Sequence, residues 1–128
     1  SNLVYYDNDD IAAVLASGSF QTQGMIVMPC TMSTLSAITY GSSNNLITRV
    51  ADVMLKEKRQ LIVVPRETPL STIHLRNMLL LSEMGVYIVP AMPGFYSKPT
   101  SIDDVVNFLV GKVLDLLNIP NDIYRRYV

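Results

Sequence analysis

The 128-residue sequence has few of the residues that mark common functional classes. One cysteine, Cys30, excludes an intrachain disulfide. The only histidine, His74, has no cysteine, second histidine or carboxylate at ligand spacing, so a zinc site is not supported and a structural or surface position is favoured. A formal charge of -1 gives no general attraction to nucleic acid or to an anionic membrane. No apolar run approaches the roughly 20 residues of a membrane span, and no signal-peptide pattern is present.

Glycine-rich phosphate loops are also missing. Neither GxGxxG nor GxxxxGK[ST] occurs, so a conventional dinucleotide or Walker site is not supported. With 49% hydrophobic and 16% charged residues, the chain is predicted to be globular, with one domain over residues 1–128. A single thiol is typical of a reducing compartment and favours a cytoplasmic location, with Cys30 buried as a small hydrophobic side chain.

Short apolar runs alternate with longer segments of helical period, which predicts an α/β fold with a parallel sheet. Residues 7–20 suggest a short helix, and Ser71 and Ser101 are predicted N-caps. Three strands are predicted at residues 24–30, 60–65 and 85–91, and further helices at 31–41, 44–59, 71–85 and 101–119. The last helix is predicted to bury the face formed by Val105, Val106, Leu109, Val113, Leu116 and Leu117.

Unusual residues follow the strands, where ligands of open parallel sheets bind. The run "LIVVP" is followed by Arg66 and Glu67, which either face a ligand or form a surface pair with each other. Thr31, Ser33 and Thr34 follow the first strand, and their hydroxyls suit either an anion cradle or an ordinary helix cap. The residues alone favour the cap.

Several segments in fixed order carry a family resemblance. "ASGSF", "GMIVMPCTMSTLSAI", "NNLITRVADVMLKEKRQLIVVPRETPLSTIHLRNMLLLSEMG" and "PAMPGFY" resemble the UbiX-type flavin prenyltransferases, formerly described as aromatic acid decarboxylases. The similarity extends over nearly all of residues 7–119. It implies a layered, Rossmann-like or flavodoxin-like α/β fold, and transfer of a dimethylallyl group from dimethylallyl phosphate to reduced FMN, with no metal.

The resemblance also implies partners. The product, prenylated FMN, serves a decarboxylase of the UbiD type, and members form homo-oligomers, commonly dodecamers, with active sites at subunit contacts. No nucleic acid or membrane partner is implied. The alternative is a non-catalytic FMN-binding or assembly module of the same fold, or a decarboxylase-associated subunit.

One departure from the family pattern is large. Members begin with a strand and a glycine-rich loop that this sequence does not contain, so the chain matches the C-terminal two thirds of the family domain. If the chain is really this short, we expect its activity to be lost or severely reduced.

The resemblance assigns flavin contacts at two strand ends. Glu67 matches the glutamate of proton transfer and cation stabilisation, a role that a carboxylate beside developing positive charge can fill. Arg66 matches an arginine that contacts FMN, whereas Ser33 stands where the family usually has lysine. The matching flavin contacts are Thr31, Met32, Ser33, Thr34 and Arg66.

Four residues match the family's phosphate ligands: Arg49, Lys56, Tyr96 and Lys112. Arg49 and Lys56 lie seven residues apart, about two helical turns, and so share a face that the residues alone would assign to solvent. The family supplies them across a subunit contact. Lys112 often corresponds to arginine in relatives, and lysine lacks the bidentate fork.

Overall fold

The computed structural model describes residues 2–126, which contain a parallel three-stranded sheet covered by helices. The strand order is β1-β2-β3, so neighbouring strands along the chain are also neighbours in the sheet. The predicted α/β class is therefore confirmed. The strands are β1 (Met25–Cys30), β2 (Leu61–Pro65) and β3 (Tyr87–Ile88), and the helices are α1 (Met32–Tyr40), α2 (Leu46–Lys56), α3 (Thr72–Glu83) and α4 (Ile102–Leu116). Two short 3-10 turns cover Val14–Ala16 and Phe95–Ser97.

The central strand β2 is buried on both faces. Leu61 and Val63 belong to the apolar cluster that includes α1, α2 and α3. Ile62 and Val64 belong to a second cluster, with Val113 of α4. Because side chains alternate along a strand, the uninterrupted apolar run is what a doubly covered strand requires.

The neighbouring strand β1 is covered less evenly. Val27 and Cys30 are buried in the cluster shared with α1 and α2. Ile26 and Met28, on the opposite face, remain 38% and 39% exposed. In residues 2–126, the face that α4 covers at β2 is thus open at β1.

Side-chain caps begin the later helices where the sequence predicts them. Ser71 Oγ accepts from the His74 backbone N–H at 3.1 Å, and His74 Nδ1 accepts from the Ser71 N–H at 3.0 Å. Ser101 Oγ accepts from the Asp104 N–H at 3.1 Å. Both N-cap predictions are confirmed, and His74 is a structural capping residue. No helix within residues 2–126 has the length and apolarity needed to cross a membrane.

The predicted helix at residues 7–20 is wrong. Only Val14–Ala16 form a 3-10 turn, and the backbone bonds reach back three residues, as from Ala16 N–H to the Ala13 carbonyl at 2.9 Å. Asn8 instead caps α2, because its carbonyl accepts from Leu46 N–H at 2.7 Å and its Oδ1 from Ile47 N–H at 2.9 Å. Polar side chains that bond to backbone compete with helix formation in this way.

Two other predictions need adjustment. The third strand is shorter than residues 85–91, because the strand pairing covers only Tyr87–Ile88. Val89 and Ala91 nevertheless donate to the carbonyls of Val63 and Pro65, both at 2.9 Å. On α4, Val113 is buried as predicted. Val106 is 47% exposed, because the helix turns Phe108 and Gly111 inward instead.

Candidate functional site

The strands β1 and β2 end level at one edge of the sheet, and the segment after β3 continues to the same edge. Cys30 pairs with Pro65, and the Ala91 N–H donates to the Pro65 carbonyl at 2.9 Å. Thr31, Arg66 and Met92 are the next residues in each segment, so the chain leaves all three strands on this edge. This is where parallel α/β sheets bind ligands.

A cleft of about 650 Å³, here called the β2 cleft, lies at the end of β2. Arg66 and Glu67 supply one charge of each sign, and Thr68 adds a hydroxyl. The remaining wall is apolar and is formed by Pro65, Pro69, Leu70, Leu75, Met78, Pro90, Ala91 and Met92. Such a mixture of a broad apolar surface and a few polar groups is typical of small-molecule sites.

Arg66 and Glu67 do not neutralise each other. The single salt bridge within residues 2–126 joins Arg126 and Asp115, far along the chain. Glu67 Oε1 accepts from the Thr68 N–H at 3.3 Å, and both charged side chains are exposed. The surface-pair alternative is therefore not what the structure forms, and both charges remain available to a ligand.

A second cleft of about 420 Å³, the α4 cleft, adjoins the first. Pro90 and Met92 line both clefts, so they form the wall between them. Lys112 lines the α4 cleft with Phe108 and Leu109. The structure therefore places Lys112 next to the cleft that holds Arg66 and Glu67.

Tyr96 and Lys112 each lie beside the ring of Phe108. The Tyr96 and Phe108 centroids are 5.9 Å apart in an edge-to-face arrangement, and Lys112 Nζ lies 5.7 Å from the Phe108 centroid. Two of the predicted phosphate ligands, 16 residues apart in sequence, are thus neighbours of the same aromatic side chain.

The hydroxyls after β1 act as a cap. Thr31 Oγ1 accepts from the Thr34 N–H at 3.2 Å and donates to Thr34 Oγ1 at 3.0 Å, which fixes the start of α1. Met32 is half-buried against the core, and Ser33 is exposed. The cap interpretation is confirmed, and flavin contacts by these residues stay a prediction.

Arg49 and Lys56 lie apart from both clefts. Each is on α2, and neither lines the β2 or the α4 cleft of residues 2–126. Lys56 is exposed, whereas Arg49 is half-buried and its Nε atom is buried without a hydrogen-bond partner. A buried donor that lacks an acceptor is costly, so this nitrogen marks a position suited to an additional acceptor.

Cys30 supplies no nucleophile. Its side chain is fully buried, and burial raises the pKa of the thiol to about 11, so the thiolate is scarce near neutral pH. Residues 2–126 also contain no group of three or more His, Cys, Asp or Glu side chains arranged to hold a metal ion.

Sequence reasoning missed the network at the end of the chain. Tyr124 donates to Asp115 at 2.5 Å, and Arg126 forms a salt bridge with Asp115 at 2.6 Å. Hydrogen bonding from Arg126, then from Tyr124, holds the pKa of Asp115 well below its usual value. Burial, followed by the bond to Asp115, raises the pKa of Tyr124 to about 12. The available signal was Gly111, a helix-weakening residue inside a long helix.

Comparisons with known proteins bear on the family and the fold of this chain. A family model described as Flavoprotein matches residues 3–114. A flavin prenyltransferase UbiX of Halalkalibacterium halodurans is 58% identical over 96% of this chain and 60% of its own length. The crystal structure of a dodecameric FMN-dependent UbiX-like decarboxylase from Escherichia coli O157:H7 has a TM-score of 0.94 at 52% identity, over 96% of this chain and 66% of that one.

A further structure, of AnUbiX (PadA1) in complex with FMN and dimethylallyl pyrophosphate, has a TM-score of 0.93 and is 50% identical, over 96% of this chain and 65% of that one. These likenesses establish the flavodoxin-like fold. The chain spans about three fifths of the length of the first curated relatives it matches, at 60% and 61%.

Proposed function

Because this chain belongs to the flavoprotein family and matches UbiX flavin prenyltransferases over 96% of its length, we propose that the full-length protein carries out their reaction. In that reaction a dimethylallyl group passes from dimethylallyl phosphate to reduced FMN. The observation that carries the proposal is the β2 cleft, in which Arg66 and Glu67 stand unpaired beside an apolar wall.

The β2 cleft suits both substrates. A branched five-carbon group needs apolar surroundings, which Leu70, Leu75 and Met78 provide. Arg66 offers a planar cation that can stack on a ring system or bind an anion with two hydrogen bonds, as an FMN contact requires. The exposed positions of Arg66 and Glu67 give access from solvent.

Glu67 has two tasks in this proposal. As the bond between the allyl carbon and the phosphate oxygen breaks, the phosphate leaves with the electron pair, and a nearby carboxylate stabilises the positive charge left on the allyl group. As the new bond to the flavin forms, the carboxylate accepts the proton that the flavin releases. A single carboxylate beside the apolar wall can perform both tasks in turn.

The donor phosphate would be held by cations around the cleft. Lys112, which lines the adjoining α4 cleft, and Tyr96, which packs on the same Phe108 ring, come from the same chain. We propose that Arg49 and Lys56 come from a second copy of the chain, since they line neither cleft and since the buried Arg49 Nε has no acceptor of its own.

A homo-oligomer is part of the same proposal. Ile73 and Leu79 on α3 are 68% and 59% exposed, although both are large and apolar. A second copy covering α3 would remove this surface from water, which favours association. A dodecamer, a UbiD-type decarboxylase as recipient of the product, and a cytoplasmic location also remain proposals that rest on the family resemblance.

One observation favours the alternative of a non-catalytic FMN-binding or assembly module. Ser33 provides no cation where the family usually has lysine, and the hydroxyls of Thr31 and Thr34 are already bonded to each other. Flavin contacts at the end of β1 are then fewer than in the family pattern. A decarboxylase-associated subunit is a variant of this alternative.

Mass spectrometry separates these possibilities. The full-length protein is incubated without oxygen with reduced FMN and dimethylallyl phosphate, and the recovered flavin is examined for the mass of one added dimethylallyl unit. The proposed function predicts this product. FMN that binds but is recovered unchanged would contradict catalysis and favour the non-catalytic module.

A further inference from the structure

The last described residues of the chain fold back onto α4 and hold one tyrosine in place. Asp115, Asn121, Tyr124 and Arg126 form a connected network, here called the tail clamp. The Arg126 guanidinium donates to both carboxylate oxygens of Asp115, at 2.6 and 3.1 Å, and to the Tyr124 hydroxyl at 2.7 Å. Two-point contacts of this kind fix orientation as well as distance.

The ring of Tyr124 lies directly on the backbone of α4. A Cβ atom added at Gly111 would lie 2.6 Å from Tyr124 Cε1 and even nearer to Cδ1, so only glycine leaves room for the ring. On its other side, Tyr124 packs edge-to-face on Phe108, with centroids 5.4 Å apart. The Arg126 guanidinium carbon lies 4.4 Å from the Tyr124 centroid.

Lys112 is the cation that these two rings hold. Its Nζ atom lies 5.7 Å from the Phe108 centroid and 5.8 Å from the Tyr124 centroid. Both distances are within the range of a cation–π interaction. A free lysine has a flexible four-carbon stem, so two ring faces reduce the positions that its ammonium samples.

We propose that Tyr124 is a positioning residue for Lys112, which it holds, together with Phe108, at the α4 cleft for the phosphate of the prenyl donor. This inference rests on the proposed function, in which Lys112 binds that phosphate. Lys112 lines the α4 cleft, and this cleft shares Pro90 and Met92 with the cleft of Glu67. The tail clamp thus connects the end of the chain to the phosphate end of the donor.

Three variants test the inference against a purely structural role. Gly111→Ala displaces Tyr124 without altering a charged group, and alanine is the better helix former. Tyr124→Leu removes the ring, and Tyr124→Phe keeps the ring but loses the hydroxyl bonded to Asp115. Asn107→Ala, at an exposed position of the same helix, is the matched control.

The first readout does not depend on catalysis. The chain has four lysines, so isotope labelling of lysine gives four ε-methylene signals in the NMR spectrum. The signal that disappears in Lys112→Gln is that of Lys112. In wild type and Asn107→Ala we expect ring currents to shift this signal, and inorganic phosphate to shift it further. In Gly111→Ala and Tyr124→Leu we expect the ring-current shift to be lost.

The second readout is kinetic. For Gly111→Ala and Tyr124→Leu we expect the KM for dimethylallyl phosphate to rise about tenfold with kcat changed less than about twofold, and Tyr124→Phe to stay near wild type. An unshifted Lys112 signal in wild type, or an unchanged KM and phosphate response in both displaced variants, would overturn the inference. Absence of prenylated flavin with the full-length wild-type protein would instead refute the proposed function. Loss of the phosphate response in Gly111→Ala and Tyr124→Leu would still support Lys112 positioning by Tyr124.

Discussion

Two places in this molecule bring an arginine and a carboxylate close together, and they differ in whether the charges are satisfied. Arg66 and Glu67 are adjacent in sequence, yet they form no salt bridge and line the β2 cleft. Arg126 and Asp115 are 11 residues apart, yet they form the salt bridge and a second hydrogen bond. Closeness in sequence therefore does not decide pairing here.

The difference follows from backbone geometry. Arg66 and Glu67 follow the end of β2, where both side chains are exposed at the β2 cleft and no salt bridge joins them. The tail returns across α4, so Arg126 approaches Asp115 from outside the helix. Its two terminal nitrogens, Nη1 and Nη2, each donate to one carboxylate oxygen of Asp115. The charges of Arg66 and Glu67 therefore remain available to a ligand, whereas those of Arg126 and Asp115 hold the tail against α4.

The largest expected effect is at Glu67. Glu67→Gln keeps the size of the side chain but removes the proton acceptor, so we expect the rate of prenylated flavin formation to fall by about 10²- to 10⁴-fold. The free energy of unfolding should change by less than about 0.5 kcal/mol, because Glu67 is exposed. Glu83→Gln, at the opposite end of α3, is the control and should leave the rate unchanged. A rate within a factor of two of wild type would remove Glu67 from the mechanism.

A change at Arg66 should weaken the binding of FMN. Arg66→Ala removes a charge-assisted contact, and we expect the dissociation constant for FMN to rise by about tenfold to a hundredfold. Titration calorimetry measures this change, with Arg76→Ala as an exposed arginine control on α3. Equal FMN affinity in the two variants would show that Arg66 does not contact the flavin.

A change at Thr31 should lower the stability of the fold more than it weakens ligand binding. Thr31→Ala removes the cap of α1, so we expect the free energy of unfolding to fall by about 1 kcal/mol in denaturant titrations. Thr31→Ser keeps the capping oxygen and should retain most of the stability. If both variants were equally stable, the hydroxyl would not be acting as the cap.

The smallest expected effect is the pH dependence of the stability that the salt bridge between Asp115 and Arg126 provides. The folded state lowers the pKa of Asp115 below its ordinary value of 3.8, so its stabilising contribution is present above about pH 4 and is lost as the pH falls further. We expect Asp115→Asn to be less stable than wild type at pH 7 and the difference to shrink below pH 4. Asp52→Asn, on the exposed side of α2, should show no such convergence. A gap that is constant with pH would contradict the ionic role of Asp115.

Local pattern predicted much of this structure. The buried run of β2 and the capping serines could be read from the sequence, because alternation and cap chemistry are local properties. The edge position of Arg66 and Glu67 followed from the end of that run. These are the features on which the proposed site depends.

The remaining features depend on contacts between distant segments. Asn8 lies 38 residues before Leu46 in sequence, yet its carbonyl accepts from the Leu46 N–H at the start of α2. No local rule predicts that Asn8 makes this contact instead of belonging to a helix. The tail clamp depends on the absence of a side chain at Gly111, which makes room for Tyr124. Phe108 contacts both Tyr96 and Lys112, and this depends on which face of α4 is turned inward, which the sequence pattern did not predict.

The central claim is that FMN and its prenyl donor bind where Glu67 stands unpaired. The chain has three glutamates, Glu57, Glu67 and Glu83, so carbon-13 labelling of glutamate carboxyls gives three signals that the Gln variants assign. On addition of FMN and dimethylallyl phosphate, we predict a saturable shift of the Glu67 signal, with the other two unchanged. Bound FMN with an unmoved Glu67 signal would contradict the account.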